Sequence, residues 1–255
     1  MSNADGIEHF LSEGLVTDVI RVIREGKEAA VHLCRTNDPQ SPLAAAKVYH
    51  PRERRGFKDA SLYKEGFVIK ERRDRVAIAK KTRYGRALDQ GIWVYREWEM
   101  LETLHAAGVD VPRPIAHSDR AILMHFIGDE EGQAPQLREV KPDRNEARAL
   151  WDRVLRNIRV MLGRNVVHAD LSPYNVLYRG DGQVTFIDLP QAIDVRKNRN
   201  ARELLGRDVE RMCRYFERLG VRIDPERTAR DLWHGWMYAD LLADIPEEWL
   251  VPASE

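Results

Sequence analysis

The sequence predicts an α+β fold in which a small mixed lobe precedes a helical one. Apolar patterns run in the order strands, one long helix, strands, then mostly helices. A polar stretch holding Gly132 and Pro135 interrupts them near mid-chain. The length of 255 residues allows one large domain or two lobes around a sizeable core. We divide the chain into residues 1–127 and 128–255.

Residues 7–24 read as a short helix followed by an extended stretch. "EAAVHLC" (Glu28–Cys34) and "PLAAAKVYH" (Pro42–His50) read as strands joined by the turn-forming "RTNDPQS". Residues 52–86 hold 13 Lys/Arg against 5 Asp/Glu, and we treat 50–87 as a basic insert with no clear period. From Asp240 onward there are five acids and no base, and the whole chain is neutral. The insert is either a solvated face or a surface for RNA phosphates or another anionic partner.

"GIWVYREWEMLETLHAAG" (Gly91–Gly108) is the clearest helix, with Trp93, Met100, Leu101 and Leu104 on one stripe and Gly108 placed to end it. Glu97 lies within that stripe, where a charge is costly unless paired. Glu99 and Glu102 fall on the polar side. "DVPRPIAHSD" leads through prolines into a strand, and "AILMHFIG" (Ala121–Gly128) reads as a buried one. "DRNEARALWDRVLRNIRVMLG" (Asp143–Gly163) is a long amphipathic helix capped by Asp143 or Asn145. Two helices close the chain, at about 200–219 and 225–242.

No apolar run approaches the roughly 18 residues that span a bilayer. The N-terminal "MSNADGIEHF" lacks the pattern of a secretory signal. Cys34 and Cys213 stand far apart, outside any metal-binding spacing, so a reducing cytoplasm is the expected setting.

The chemistry concentrates in "NVVHADLSPYNVLYRGDGQVTFIDLP" (Asn165–Pro190). His168, Asp170 and Asn175 stand in the spacing H-x-D-x-x-x-x-N, and a hairpin across "RGDG" brings Asn175 toward Asp188. Oxygen ligands of this kind suit Mg²⁺, which takes its remaining ligands from water and phosphates. Phosphoryl transfer needs this set: a carboxylate to orient the attacking hydroxyl and metal ligands to neutralise phosphate charge.

With these motifs the sequence resembles the RIO family of atypical protein kinases over roughly residues 22–220. "HADLSPYN" resembles its catalytic stretch and "IDLPQ" its metal-loop motif. "GKEAAV" is similar to its phosphate loop, "AAAKVY" to its lysine strand, and "YREWEML" to its glutamate helix. "ILMHFIG" resembles its hinge and "QAPQL" the segment after it. A basic insert between lysine strand and glutamate helix is also a family trait.

The resemblance implies a two-lobed kinase-like fold with a minimal C-terminal lobe, and a serine/threonine kinase using ATP with Mg²⁺ or Mn²⁺. It implies Lys47 on the phosphates with Glu97 as its ion-pair partner, and Asp170 as catalytic carboxylate. Asn175 and Asp188 would bind metal. Gly26, Lys27 and Glu28 would meet the triphosphate. Met124 would stand beside adenine, with main-chain groups of His125 and Ile127 as hinge contacts, and His168 would hold the loop.

The sequence departs from the pattern in three places. Arg24 and Glu25 replace the phosphate loop's two hydroxyl residues, Ser172 stands where typical protein kinases have a lysine, and "DLP" replaces D-F-G. The last helix but one begins about 12 residues after Asp188, which leaves no room for a long activation segment. The expected substrate is a protein, the chain itself included, through Ser61 or Thr82 of the insert. Two alternatives remain: a small-molecule kinase of the aminoglycoside or choline type, and an ATPase switch that binds a ribosomal or RNA partner through residues 52–86.

Overall fold

The computed structural model describes residues 4–50, 71–80, 82–180 and 182–243. Its N-terminal half is a five-stranded antiparallel sheet of β1 (Asp18–Glu25), β2 (Ala29–Arg35), β3 (Leu43–Tyr49), β4 (Pro114–His117) and β5 (Ala121–His125). The spatial order is β1-β2-β3-β5-β4. Helix α1 (Ala4–Ser12) buries Ile7 and Phe10 against Ala44, Ala46 and Val48 of β3. Ala45, Lys47 and Tyr49 point to the opposite face, because side chains alternate along a strand. Both faces of β3 are therefore covered, which explains a near-continuous run of small and apolar residues around one lysine.

The described part of the basic insert, residues 71–80 and 82–87, is largely helical where its lack of period predicts no element. Arg72–Ala79 forms α2, and α3 runs Arg83–Ala106, starting eight residues before the expected Gly91. Thr82 caps α3, its Oγ1 accepting the Gly85 N–H at 3.0 Å. A Cβ on Gly85 would come within 2.1 Å of the Ala77 carbonyl oxygen, so only glycine lets the two helices approach this closely. The first turns of α3 lack the apolar stripe, and periodicity could not find them. Gly108, at φ +76°, ends the helix as expected. Ser61 lies outside the described residues.

The second half comprises helices α4 (Arg144–Gly163), α5 (Ala201–Arg218) and α6 (Pro225–Ala243) with two small antiparallel pairs. One pair joins β6 (Val166–Val167) to β9 (Ile193–Asp194). The other is the hairpin of β7 (Val176–Gly180) and β8 (Gln183–Phe186). Asp143 is the α4 cap, accepting the N–H groups of Asn145 and Glu146. One apolar core runs from Val94, Trp98 and Leu101 of α3 through Trp151 and Val154 of α4 to Leu205, Met212 and Phe216 of α5.

A polar joint links these parts. Arg153 holds both carboxylate oxygens of Asp110, at 2.7 and 2.8 Å, while the Asp110 carbonyl accepts the Phe186 N–H. Burial alone would raise the Asp110 carboxyl, but the hydrogen bonds from Arg153 and Asn157 hold it below its ordinary value. The strand end that presents Asp188 is thereby tied to α4. Among the described residues no helix is long and apolar enough to cross a membrane.

Candidate active site

Lys47 stands between two carboxylates. Its ammonium lies 2.8 Å from Glu97 Oε1 and 2.9 Å from Asp188 Oδ1. Glu97 is 5 % exposed, so the apolar stripe of α3 does deliver its charge into the interior, where Lys47 from β3 meets it. Burial would lower the Lys47 ammonium, but Asp188 and Glu97 more than offset this and hold it above its ordinary value. Burial raises the Glu97 carboxyl despite Lys47, whereas the Lys47 charge holds Asp188 below the usual carboxylate range. Asp188 is the more open partner, with its side chain 48 % exposed.

The loop from His168 to Asn175 is joined at both ends to Ile187, one residue before Asp188. Asn175 Nδ2 donates to the Asp170 carbonyl at 2.9 Å and to Asp170 Oδ2 at 3.3 Å. The Asn175 carbonyl accepts the Ile187 N–H, one residue before Asp188. The hairpin therefore brings Asn175 beside the segment carrying Asp188, as its spacing predicts. Ala169 sits at φ +65°, a left-handed conformation costing an alanine about 1–2 kcal/mol.

Asp208 of α5 holds that conformation in place. Its two carboxylate oxygens accept the N–H groups of Ala169 and Leu171 at 2.8 and 2.9 Å. Each such bond contributes about 0.5–1.5 kcal/mol, so the pair offsets the backbone cost. Burial pushes the Asp208 carboxyl up to about 8 against these donors. Sequence reasoning missed Asp208, although its signal matched that of Glu97: a carboxylate among Leu204, Leu205, Val209 and Met212 on an apolar helix face.

His168 is buried, with Nε2 3.1 Å from the Ile187 carbonyl, so it ties the loop to the strand end before Asp188. To donate there the ring needs only one proton, and burial lowers its affinity for a second. The folded ring thus binds fewer protons than the unfolded one in mild acid. Its stabilising contribution is present above about pH 6.5 and is lost as pH falls through the lowered folded value. Urea titrations should show wild type losing more stability than His168→Gln between about pH 7.5 and 5.5. Equal losses would remove His168 as the linked group.

A cavity of about 310 Å³ opens between the sheet and the β7–β8 hairpin. Gly26, Lys27, Glu28, Lys47, Met124, His125, Ile127, Glu97 and Asp188 all line it; Asp170 and Asn175 lie outside its wall. Arg24, noted in the sequence only as a departure, lines it as a further cation. The turn after β1 is held shut by the Gly26 N–H on the Ala29 carbonyl and by His50 Nε2, 3.1 Å from the Gly26 carbonyl. At the opposite wall the His125 N–H is spent on the Arg113 carbonyl, and the Ile127 carbonyl on the Ala134 N–H.

A family model described as the RIO domain matches residues 31–229. The chain belongs to the RIO family. The matched span begins after the Gly26–Glu28 turn and contains Lys47, Glu97, Asp170, Asn175, Asp188 and Asp208. The RIO-type serine/threonine-protein kinase Rio1 of Thermoplasma acidophilum is 37 % identical over 136 residues, which is 53 % of this chain and 69 % of that protein. The serine/threonine-protein kinase rio1 of Schizosaccharomyces pombe is 30 % identical over 83 % of this chain and 41 % of its own length. Human serine/threonine-protein kinase RIO1 is 32 % identical over 88 % of this chain and 37 % of its own. The RIO chain thus spans under half the length of the yeast and human relatives it matches.

Proposed function

We propose that this RIO chain is an ATP-dependent serine/threonine protein kinase whose substrates include itself. One observation carries the proposal: the Lys47 ammonium, bridging Glu97 and Asp188, lines a cavity of about 310 Å³, and Asp170 sits on the loop that Asn175 and His168 tie to the segment before Asp188. In this reading the sheet with α3 forms one lobe and the later helices the other. Adenine meets the Met124 side chain, the His125 carbonyl and the Ile127 N–H. The phosphates meet Lys47, Lys27 and Arg24.

The donor set fits a hard divalent cation such as Mg²⁺ or Mn²⁺. The Asn175 amide nitrogen is engaged by Asp170, which turns its carbonyl oxygen to other use, and Asp188 bonds Lys47 through Oδ1. A bound cation would neutralise charge on the phosphates of ATP. The acceptor hydroxyl oxygen then bonds to the γ-phosphorus, the bond to the ADP oxygen breaks, and the hydroxyl proton passes to Asp170 and on to water.

Phosphosite mapping after incubation with Mg-ATP tests this. Slow modification within residues 50–87 is expected, absent from Asp170→Ala. Ser61 is the foremost site, because Thr82 Oγ1 is already engaged as the α3 cap. Tethering supports such weak self-recognition by raising local concentration to roughly millimolar. A second reading, an ATPase switch with an RNA or ribosomal partner, is favoured by the short stretch between Asp188 and α5 at Ala201, which offers little platform for a peptide. Exposed Arg72 and Arg73 on α2 would contribute to such a contact. Unmodified protein that releases ADP steadily would favour the switch. A reducing, cytoplasmic setting suits Cys34 and Cys213, both free and buried.

A further inference from the structure

The loop from His168 to Asn175 presents a carboxylate without any cation of its own. Its only basic residue, His168, is buried and turned to the Ile187 carbonyl, and Ser172 is uncharged. The cations of the nucleotide cavity, Arg24, Lys27 and Lys47, lie on the sheet side. The charge beside Asp170 comes instead from α5: Arg211 Nη1 donates to Asp170 Oδ1 at 2.8 Å.

Two features separate this contact from an ordinary surface ion pair. It shares its target with a second donor, since Asn175 Nδ2 reaches the other carboxylate oxygen. It also stands three residues from Asp208, which grips the N–H groups on either side of Asp170. Helix α5 therefore holds three consecutive loop residues, the outer two by backbone and the middle one by side chain. The partners are 41 % and 35 % exposed, and pairs this open contribute little to stability. What the pair does set is the direction of the Asp170 carboxylate and the local charge.

We propose that Arg211 is a catalytic residue for phosphoryl transfer in this chain: it aims the Asp170 carboxylate at the acceptor hydroxyl, and its remaining donors meet the transferred phosphoryl group. This rests on the kinase reading above. A guanidinium has five donors in a planar fork, so one can hold Asp170 while others face a phosphoryl oxygen. Preorganised charge at such a point acts on the transition state more than on bound ATP. The bond changes are those already given: oxygen to γ-phosphorus forms, the bond to ADP breaks, and the proton leaves through Asp170.

The test compares wild type, Arg211→Ala, Arg211→Lys and Asp170→Ala in transfer, ADP release, ATP binding and thermal melting. Arg211→Ala should lower kcat about 100-fold, with KM for ATP and Tm near wild type. Guanidinium chloride at tens of millimolar should restore part of that loss, and Arg211→Lys should retain more activity than Arg211→Ala. Adding Ser172→Lys to Arg211→Ala, which returns a cation to the loop, should also recover turnover. Unchanged or faster turnover in Arg211→Ala would overturn the proposal. So would a loss that tracks Tm and resists both rescues, which is the mark of a structural role. Asp170-dependent turnover indifferent to Arg211 sinks this assignment alone. Absence of any Asp170-dependent turnover in wild type sinks the kinase reading and the assignment together.

Discussion

Asp170→Ala is expected to cut phosphoryl transfer by about 10²–10⁴-fold while leaving Mg²⁺-dependent ATP binding close to wild type. The separation follows from where the carboxylates sit. Asp170 contacts Asn175 and Arg211 and lies outside the cavity of about 310 Å³, whereas Asp188 lines it and holds Lys47 at 2.9 Å. Asp188→Ala should therefore weaken nucleotide affinity chiefly when Mg²⁺ is present. Its side chain is half-exposed, so the fold should survive the change. Calorimetry with ATP, with and without Mg²⁺, reads the binding arm, and mass spectrometry reads transfer. Equal loss of ATP binding in both variants would show that the roles have been divided wrongly.

Glu97→Gln should reduce transfer sharply, with Glu99→Gln as the silent control. Breaking a buried pair by neutralising one partner costs roughly 3–5 kcal/mol locally. Here the structure changes the expected consequence. Lys47 does not lose all restraint, because Asp188 still holds it. The ammonium is drawn wholly to Asp188, which competes with the cation that Asp188 would otherwise bind. The loss should thus appear in kcat and as a raised Mg²⁺ requirement together. Glu99 is exposed on the far side of α3 and makes no contact with Lys47 or Asp188 among those described. Comparable effects from the two substitutions would mean the Lys47 pair does not support catalysis.

Both experiments concern residues that were legible as residue types in an order. Glu97 on an apolar stripe and the H-x-D-x-x-x-x-N spacing needed no coordinates, because helical period and spacing are local rules, and Lys47 was picked out by the resemblance of its strand to the RIO family. The hairpin that draws Asn175 toward Asp188 was equally local, set by glycines in "RGDG" between two β-forming runs. The start of α3 was not legible. Its first turns carry no apolar stripe, and they are helical because Thr82 caps them and Gly85 lets α2 lie close.

The contributions of α5 were harder still. Asp208 and Arg211 lie about forty residues from the loop they hold, at sequence separations where nothing but the folded chain joins donor to acceptor. A misplaced carboxylate on an apolar face could have flagged Asp208. No pattern flags Arg211, one of many arginines on a polar helix face. Most elements, the family and the identity of the polar groups were readable along the chain, since these depend on periods and spacings within a few turns; α2 and the first turns of α3 were not. That Lys47 is shared between two carboxylates, and that α5 grips the His168–Asn175 loop at three successive residues, emerges only on folding. A hydrogen-bonded ion pair forms only where its partners meet within about 3 Å in space, and it is blind to position along the chain.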